Sequence, residues 1–256
     1  MTLLSQKTAL ITGATSGIGL ATARALAQAG CRLVLTGRRA QRLKALVEEF
    51  SELTAVHSLC FDVRDREATT QMISQLPEEF SQIDILINNA GNAHGLDSFE
   101  DANLDDWDAM IDINVKGLLY VSKAVIPQMI KRKTGHVIHL GSTAGKEVYP
   151  KGNVYCASKH AVDALNHAMR IDLNGKGIKV SAIHPGLVET EFSEVRFKGD
   201  KARAQQVYKG YNPLQPEDIA EIIVFVLSRP PHVNIADLMV MCLDQASSTF
   251  VNKTVE

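Results

Sequence analysis

Between residues 7 and 241 this chain alternates short β-branched or aliphatic runs with longer stretches whose apolar residues recur at helical spacing. That alternation admits few folds, because a strand followed by a helix and then another strand favours a parallel sheet with helices packed on its faces. Strands are expected near 7–12, 32–36, 56–61, 83–87, 136–140, 179–184 and 238–241, and helices over 18–29, 40–50, 66–76, 107–131, 154–173 and 216–227. Asp105-Asp106 and Gln215-Pro216 supply helix-start signals. The expectation is one α/β domain over residues 1–256, a doubly wound parallel sheet of about seven strands with helices on both faces. No internal repeat or Pro/Gly/Ser linker divides the chain.

Composition narrows the function. With 45% hydrophobic, 22% charged and 5% aromatic residues, the chain reads as an ordinary folded protein with an aliphatic core. Its 27 Lys and Arg against 29 Asp and Glu leave a net charge of -2, which offers no broad attraction to nucleic acid or anionic lipid. The longest clean apolar run, residues 222–227, is far too short to span a bilayer. The first seven residues are too short and too weakly apolar to form a signal peptide. Cys31, Cys60, Cys156 and Cys242 are scattered without zinc or disulfide spacing, so they read as reduced thiols of a cytoplasmic protein. The eight histidines show no ligand pattern, and no metal is expected.

Thr12-Gly-Ala-Thr-Ser-Gly-Ile-Gly19 directly follows the first strand and opens the first helix. Glycines at 13, 17 and 19 permit a tight turn and let a diphosphate approach backbone N–H groups at the positive end of the helix. A glycine-rich turn without a ligand is the alternative. At the end of the second strand, where an NAD site offers a carboxylate, this chain has Thr36-Gly37-Arg38-Arg39. Two guanidinium groups suit a ribose 2'-phosphate, so NADP(H) is preferred. They could instead be exposed residues of a helix start, although positive charge is slightly unfavourable there. Asp62 with Val63, the segment Asn88-Asn89-Ala90-Gly91, and Pro185-Gly186 with Val188 and Thr190 follow later strands. They fall at the carboxyl ends, where open α/β sheets bind ligands, although each could be plain turn chemistry.

Tyr155 and Lys159 stand four residues apart, so a helix places them on one face. Lowering a phenol from its usual pKa of about 10 to neutrality requires roughly 4 kcal/mol of phenolate stabilisation, and a nearby ammonium can supply much of it. Taken alone, an exposed helical pair explains the spacing equally well. Cys156 beside Tyr155 reads as a small packing residue. Residues 189–211 form a long, charge-rich connection after a strand, expected to be a substrate lid with short helices of its own or else a solvated excursion.

Taken in order, the glycine loop, Asn-Asn-Ala-Gly91, Asn114 in Asn-Val-Lys-Gly117, Ser142 and Tyr155-x-x-x-Lys159 resemble the short-chain dehydrogenase/reductase family over nearly the whole chain. The resemblance implies a Rossmann-type fold. It also implies that Tyr155 is the general acid/base, that Ser142 holds and polarises the substrate oxygen, that Lys159 lowers the tyrosine pKa while binding the nicotinamide ribose, and that Asn114 anchors a water beside Lys159. The cofactor contacts it implies are Thr12, Gly13, Thr15, Ser16, Gly17, Ile18, Gly19, Arg38, Arg39, Asp62, Val63, Asn89, Ala90, Gly91, Tyr155, Lys159, Pro185, Gly186, Val188 and Thr190. A homotetramer built on the two long helices is also implied, although Trp107 and its apolar neighbours could equally be intrachain core. One departure is Ser16, where NADP-preferring relatives often carry a basic residue, so phosphate preference leans on Arg38 and Arg39.

Gly141-Ser-Thr-Ala-Gly145, Thr190-Glu-Phe-Ser193, Val195-Arg-Phe-Lys-Gly-Asp200 and Pro231-His-Val-Asn-Ile235 extend the resemblance to NADP-dependent 3-hydroxy acid dehydrogenases of the serine and allo-threonine type. The implied reaction interconverts a short hydroxy acid, such as 3-hydroxypropionate, and its oxo acid or semialdehyde. Arg196 is a candidate clamp for the substrate anion, with a loop salt bridge as the alternative. Reduction of another anionic aldehyde such as sulfoacetaldehyde, a broader activity on ketones or 3-oxoacyl thioesters, and a non-catalytic NADPH-sensing module are the competing expectations.

Overall fold

The computed structural model describes residues 3–254; Met1 and Thr2, which belong to the N-terminal segment considered above, lie outside the described residues, as do Val255 and Glu256. The chain order is β1 (Thr8–Ile11), α1 (Gly17–Gln28), β2 (Arg32–Gly37), α2 (Ala40–Ser51), β3 (Val56–Cys60), α3 (Arg66–Ser74), α4 (Glu78–Ser81) and β4 (Ile85–Asn88). The second half runs α5 (Leu104–Ile111), a π-helical turn (Asp112–Gly117), α6 (Leu118–Arg132), β5 (Gly135–Leu140), α7 (Asn153–Asp172), β6 (Ile178–Pro185), α8 (Glu191–Arg196), α9 (Lys201–Val207), α10 (Pro216–Leu227) and β7 (Asp237–Val240). All of these strands pair in parallel, in the order β3-β2-β1-β4-β5-β6-β7.

The side-chain alternation of the strands explains the two cores. Ile11, Leu33 and Leu35 point to one face, where they bury against Leu26 of α1 and Ile223 of α10. Leu10, Val34 and Leu86 point to the other, against Val121 and Val125 of α6 and Ile73 of α3. Burying each such side chain stabilises the fold by about 1.5–3 kcal/mol, and both faces are covered, which is why the central strands are apolar throughout.

Strand order reverses beside β1, which pairs with β2 on one side and β4 on the other. Loops leaving the carboxyl ends of β1 and β4 therefore diverge and open a crevice. Thr12 ties the two strands together there: its hydroxyl donates to Ile87 O at 3.2 Å and accepts from Asn89 N and Ala90 N at 3.0 and 2.9 Å.

The expected strands all form, with ends shifted by a residue or two. The expected helix over 107–131 instead begins at Leu104, because Asn103 caps it by accepting from Asp105 N at 2.7 Å. It is also interrupted by the π turn around Asn114. Within 189–211, α8 and α9 are the short helices expected of that connection, and α4 is an addition that no periodicity announced.

Candidate active site

A cavity of about 520 Å³ lies along the carboxyl ends of the strands, roofed by α8 and α9. It is large enough for an extended small-molecule ligand. The expected site residues line it, with three exceptions: Thr12, Gly19 and Asn114 sit behind the wall. Each has a visible structural task. A Cβ on Gly19 would come within 2.4 Å of Gly13 O, so glycine there lets α1 close against the loop. Asn114 accepts from Asn92 N at 2.9 Å and donates to Asn92 O at 2.8 Å and Ser158 Oγ at 3.0 Å, pinning the loop after β4 to α7. The π turn turns that amide inward, as single π turns at functional sites commonly do.

At the glycine loop, Gly13 and Gly17 adopt φ of +65° and +52°, which other residues reach only with strain. Ser16 occupies the N-cap position of α1, yet its side chain makes no capping bond and instead accepts from Arg39 Nη2 at 2.6 Å. The first N–H groups of α1 thus keep their capacity for an anion, and the residues present fit a diphosphate. Arg39 also donates from Nε and Nη2 to Thr15 Oγ1, at 3.0 and 2.8 Å. Arg38 lies 3.5 Å from Asp62. Asp62 accepts further bonds from Arg64, which overcome the opposing effect of its burial and hold its carboxyl below the ordinary range.

At the opposite end, α7 carries Tyr155 and Lys159 into the cavity wall, both nearly buried. Ser142 follows β5 and begins a tight turn, its hydroxyl accepting from Ala144 N at 3.1 Å. Burial pushes the Tyr155 phenol upward, Tyr149 adds to this, and the neighbouring Ser142 and Arg196 oppose it. Lys159 is lowered to about 8, again by burial. The Lys159 ammonium donates to Leu140 O at 2.9 Å.

Arg196, from α8, lies with its guanidinium carbon 5.5 Å from the Tyr155 ring centre and 5.6 Å from that of Tyr149. Its Nε donates to Gly95 O at 3.1 Å, and it forms no ion pair among the described residues. Among the described residues, the loop salt bridge considered from the sequence does not form. A guanidinium placed in this way, against two rings and a carbonyl, has the chemistry to pair with an anion.

Sequence reasoning missed Arg42, Glu191 and Tyr149. Arg42, in the first turn of α2, follows the N-cap residue Arg39 by three positions, a spacing that brings the two side chains near each other. Tyr149 and Glu191 come together with their partners only through the fold.

Residues 7–201 match the short chain dehydrogenase family. The chain belongs to that family. It is 46% identical over 242 residues to sulfoacetaldehyde reductase 2 of Chromohalobacter salexigens, covering 94% of this chain and 96% of the relative. It is 44% identical over 238 residues to the NADP-dependent 3-hydroxy acid dehydrogenase of Escherichia coli K12, covering 93% and 95%. The closed form of serine dehydrogenase complexed with NADP+ superposes with a TM-score of 0.91 at 43% identity, covering 97% of this chain and all of that one. As a short chain dehydrogenase, the molecule has the Rossmann-type parallel sheet that the resemblance implied.

Proposed function

We propose that this protein is an NADP(H)-dependent oxidoreductase that interconverts a short-chain 3-hydroxy acid and its oxo acid or semialdehyde. The observation that carries the reading is Arg196, a cation inside the cavity with no ion pair among the described residues and with its guanidinium carbon 5.5 Å from the Tyr155 ring centre. A carboxylate bound there sets the substrate's reacting oxygen within reach of Ser142 and Tyr155. Relatives named for 3-hydroxy acids and for serine support this substrate class. A sulfonate presents the same charge and more acceptor oxygens, and the relative named for sulfoacetaldehyde supports that second reading. Ser142, Tyr149 and Arg196 gathered around the Tyr155 phenol favour catalysis over a purely NADPH-sensing role.

When bound, NADPH supplies the hydride for reduction. As negative charge grows on the carbonyl oxygen, the Ser142 hydroxyl and the Tyr155 hydroxyl donate to it, and Tyr155 transfers its proton. Burial keeps the phenol protonated until then. In oxidation Tyr155 must first lose its own proton to solvent, and the Arg196 charge and the Ser142 hydroxyl beside it favour that phenolate, whose oxygen then takes the proton of the substrate hydroxyl. Lys159 presents its ammonium to the ribose side of the cleft, Asn114 braces the wall behind it, and residues 189–211 act as the lid. Arg38 and Arg39 face the adenosine end, and the absence of a carboxylate ending β2 favours NADP over NAD. A cytoplasmic location accords with the free cysteines. Homotetramer formation through the long helices accords with the exposure of Leu119 on α6 and Ile171 on α7.

A spectrophotometric assay of NADPH with serine, 3-hydroxypropionate, isethionate and a neutral alcohol of similar size tests the reading. Arg196→Ala is expected to raise KM for the acids by about 30-fold while altering that for the neutral alcohol about twofold or less. Equal effects on charged and neutral substrates would remove the anion clamp.

A further inference from the structure

Beyond that reading, the rim of the cleft holds a charge cluster that joins the lid to the glycine loop. Glu191, the first residue of α8, accepts from Arg39 Nη1 at 2.9 Å through one carboxylate oxygen and from Arg42 Nη1 at 2.8 Å through the other. Arg42 also reaches Thr15 O at 3.4 Å. One carboxylate shared between two guanidinium groups has the charge pattern that a phosphate monoester would adopt on the same pair. Arg39 is moreover anchored to Thr15 and Ser16, so its fork is held toward the glycine loop whether or not Glu191 engages it.

We propose that Glu191 and the 2'-phosphate of the cofactor are alternative occupants of the Arg39–Arg42 pair, so that Arg42 is a further determinant of NADP selectivity and Glu191 its internal competitor. This rests on the cleft being a dinucleotide site. The charge balance decides the direction. Two guanidiniums and one carboxylate leave a net positive charge, whereas a phosphate carrying about -1.5 to -2 charges would turn the occupied cluster negative with Glu191 still in contact. Glu191 must then withdraw from the arginines, which frees the first turn of α8 from the rim. Arg38 does not join this exchange, because its partner is Asp62.

Calorimetric titration of the full-length protein with 2',5'-ADP and with 5'-AMP isolates the 2'-phosphate, since both probes carry the same adenosine and 5'-phosphate. The wild-type protein is expected to prefer 2',5'-ADP; if it does not, the NADP reading itself fails. Given that preference, Glu191→Gln is expected to strengthen 2',5'-ADP binding about fivefold, and Arg42→Ala to weaken it by about the same factor. Binding of 5'-AMP should move about twofold or less in both variants. Unchanged or weaker 2',5'-ADP binding in Glu191→Gln would overturn the competition while leaving the cofactor assignment intact, as would indifference to Arg42→Ala.

Discussion

Tyr155 and Lys159 are sunk into the wall of the cleft at one end, whereas Arg39, Arg42 and Glu191 at the other have side chains 40, 49 and 43% exposed. At the buried end polar contacts are less screened than at the surface, so few groups carry large effects on a developing charge. At the rim, charges are screened and individually weak, so recognition there depends on several of them acting on one phosphate. Under the proposed function, chemistry falls to the first region and cofactor choice to the second.

Removing a donor from the buried end has the largest expected effect. Ser142→Ala should lower kcat by about 100-fold with NADPH binding nearly unchanged, read by steady-state kinetics beside a fluorescence titration of NADPH. A proportionate loss of cofactor affinity would blur the division between the ends.

Next in size is acid sensitivity, which belongs to the buried side. His136 and His139 on β5, the strand leading to Ser142, are each lowered to about 3 from 6.5 by burial. Folded, they stay neutral where the unfolded chain binds protons. Their contribution to stability is therefore present above about pH 6.5 and is lost as pH falls toward 3. Tm measured by calorimetry should fall most steeply across that window, and His139→Gln, whose side chain does not titrate, should flatten the slope. A slope unchanged by that substitution would place the acid sensitivity elsewhere.

Salt provides the smallest effect and the sharpest contrast. Raising ionic strength from about 0.05 to 0.5 M shortens the screening length severalfold. KM for NADPH is then expected to rise about threefold while kcat stays within about twofold. Equal salt effects on both constants would mean that the two ends are not electrostatically distinct.

Much of this was legible in the sequence because it is local. Glycines 13, 17 and 19, the strand alternation and the Tyr155–Lys159 spacing each express a backbone requirement or a period, and the sheet and the glycine loop follow from them. The π turn was not, since residues 112–117 keep apolar residues compatible with a regular helix and only packing decides the slip. Lys159 was placed on the correct face, yet the partner of its ammonium, Leu140 O, comes from a strand 19 positions earlier in the chain. The Arg42–Glu191 pair spans 149 positions and leaves no local signature. Arg196 was legible as a loop arginine; its seat between Tyr149 and Tyr155 was not.

The central claim is that the buried Tyr155 hydroxyl hands its proton to the substrate oxygen during reduction. Pre-steady-state measurement of NADPH oxidation by Tyr155→Phe, with folding checked by calorimetry and NADPH affinity by fluorescence, tests it directly. The account predicts a rate about 1000-fold below that of the parent with cofactor affinity retained. Turnover near the parental rate in a folded, NADPH-binding variant would contradict it.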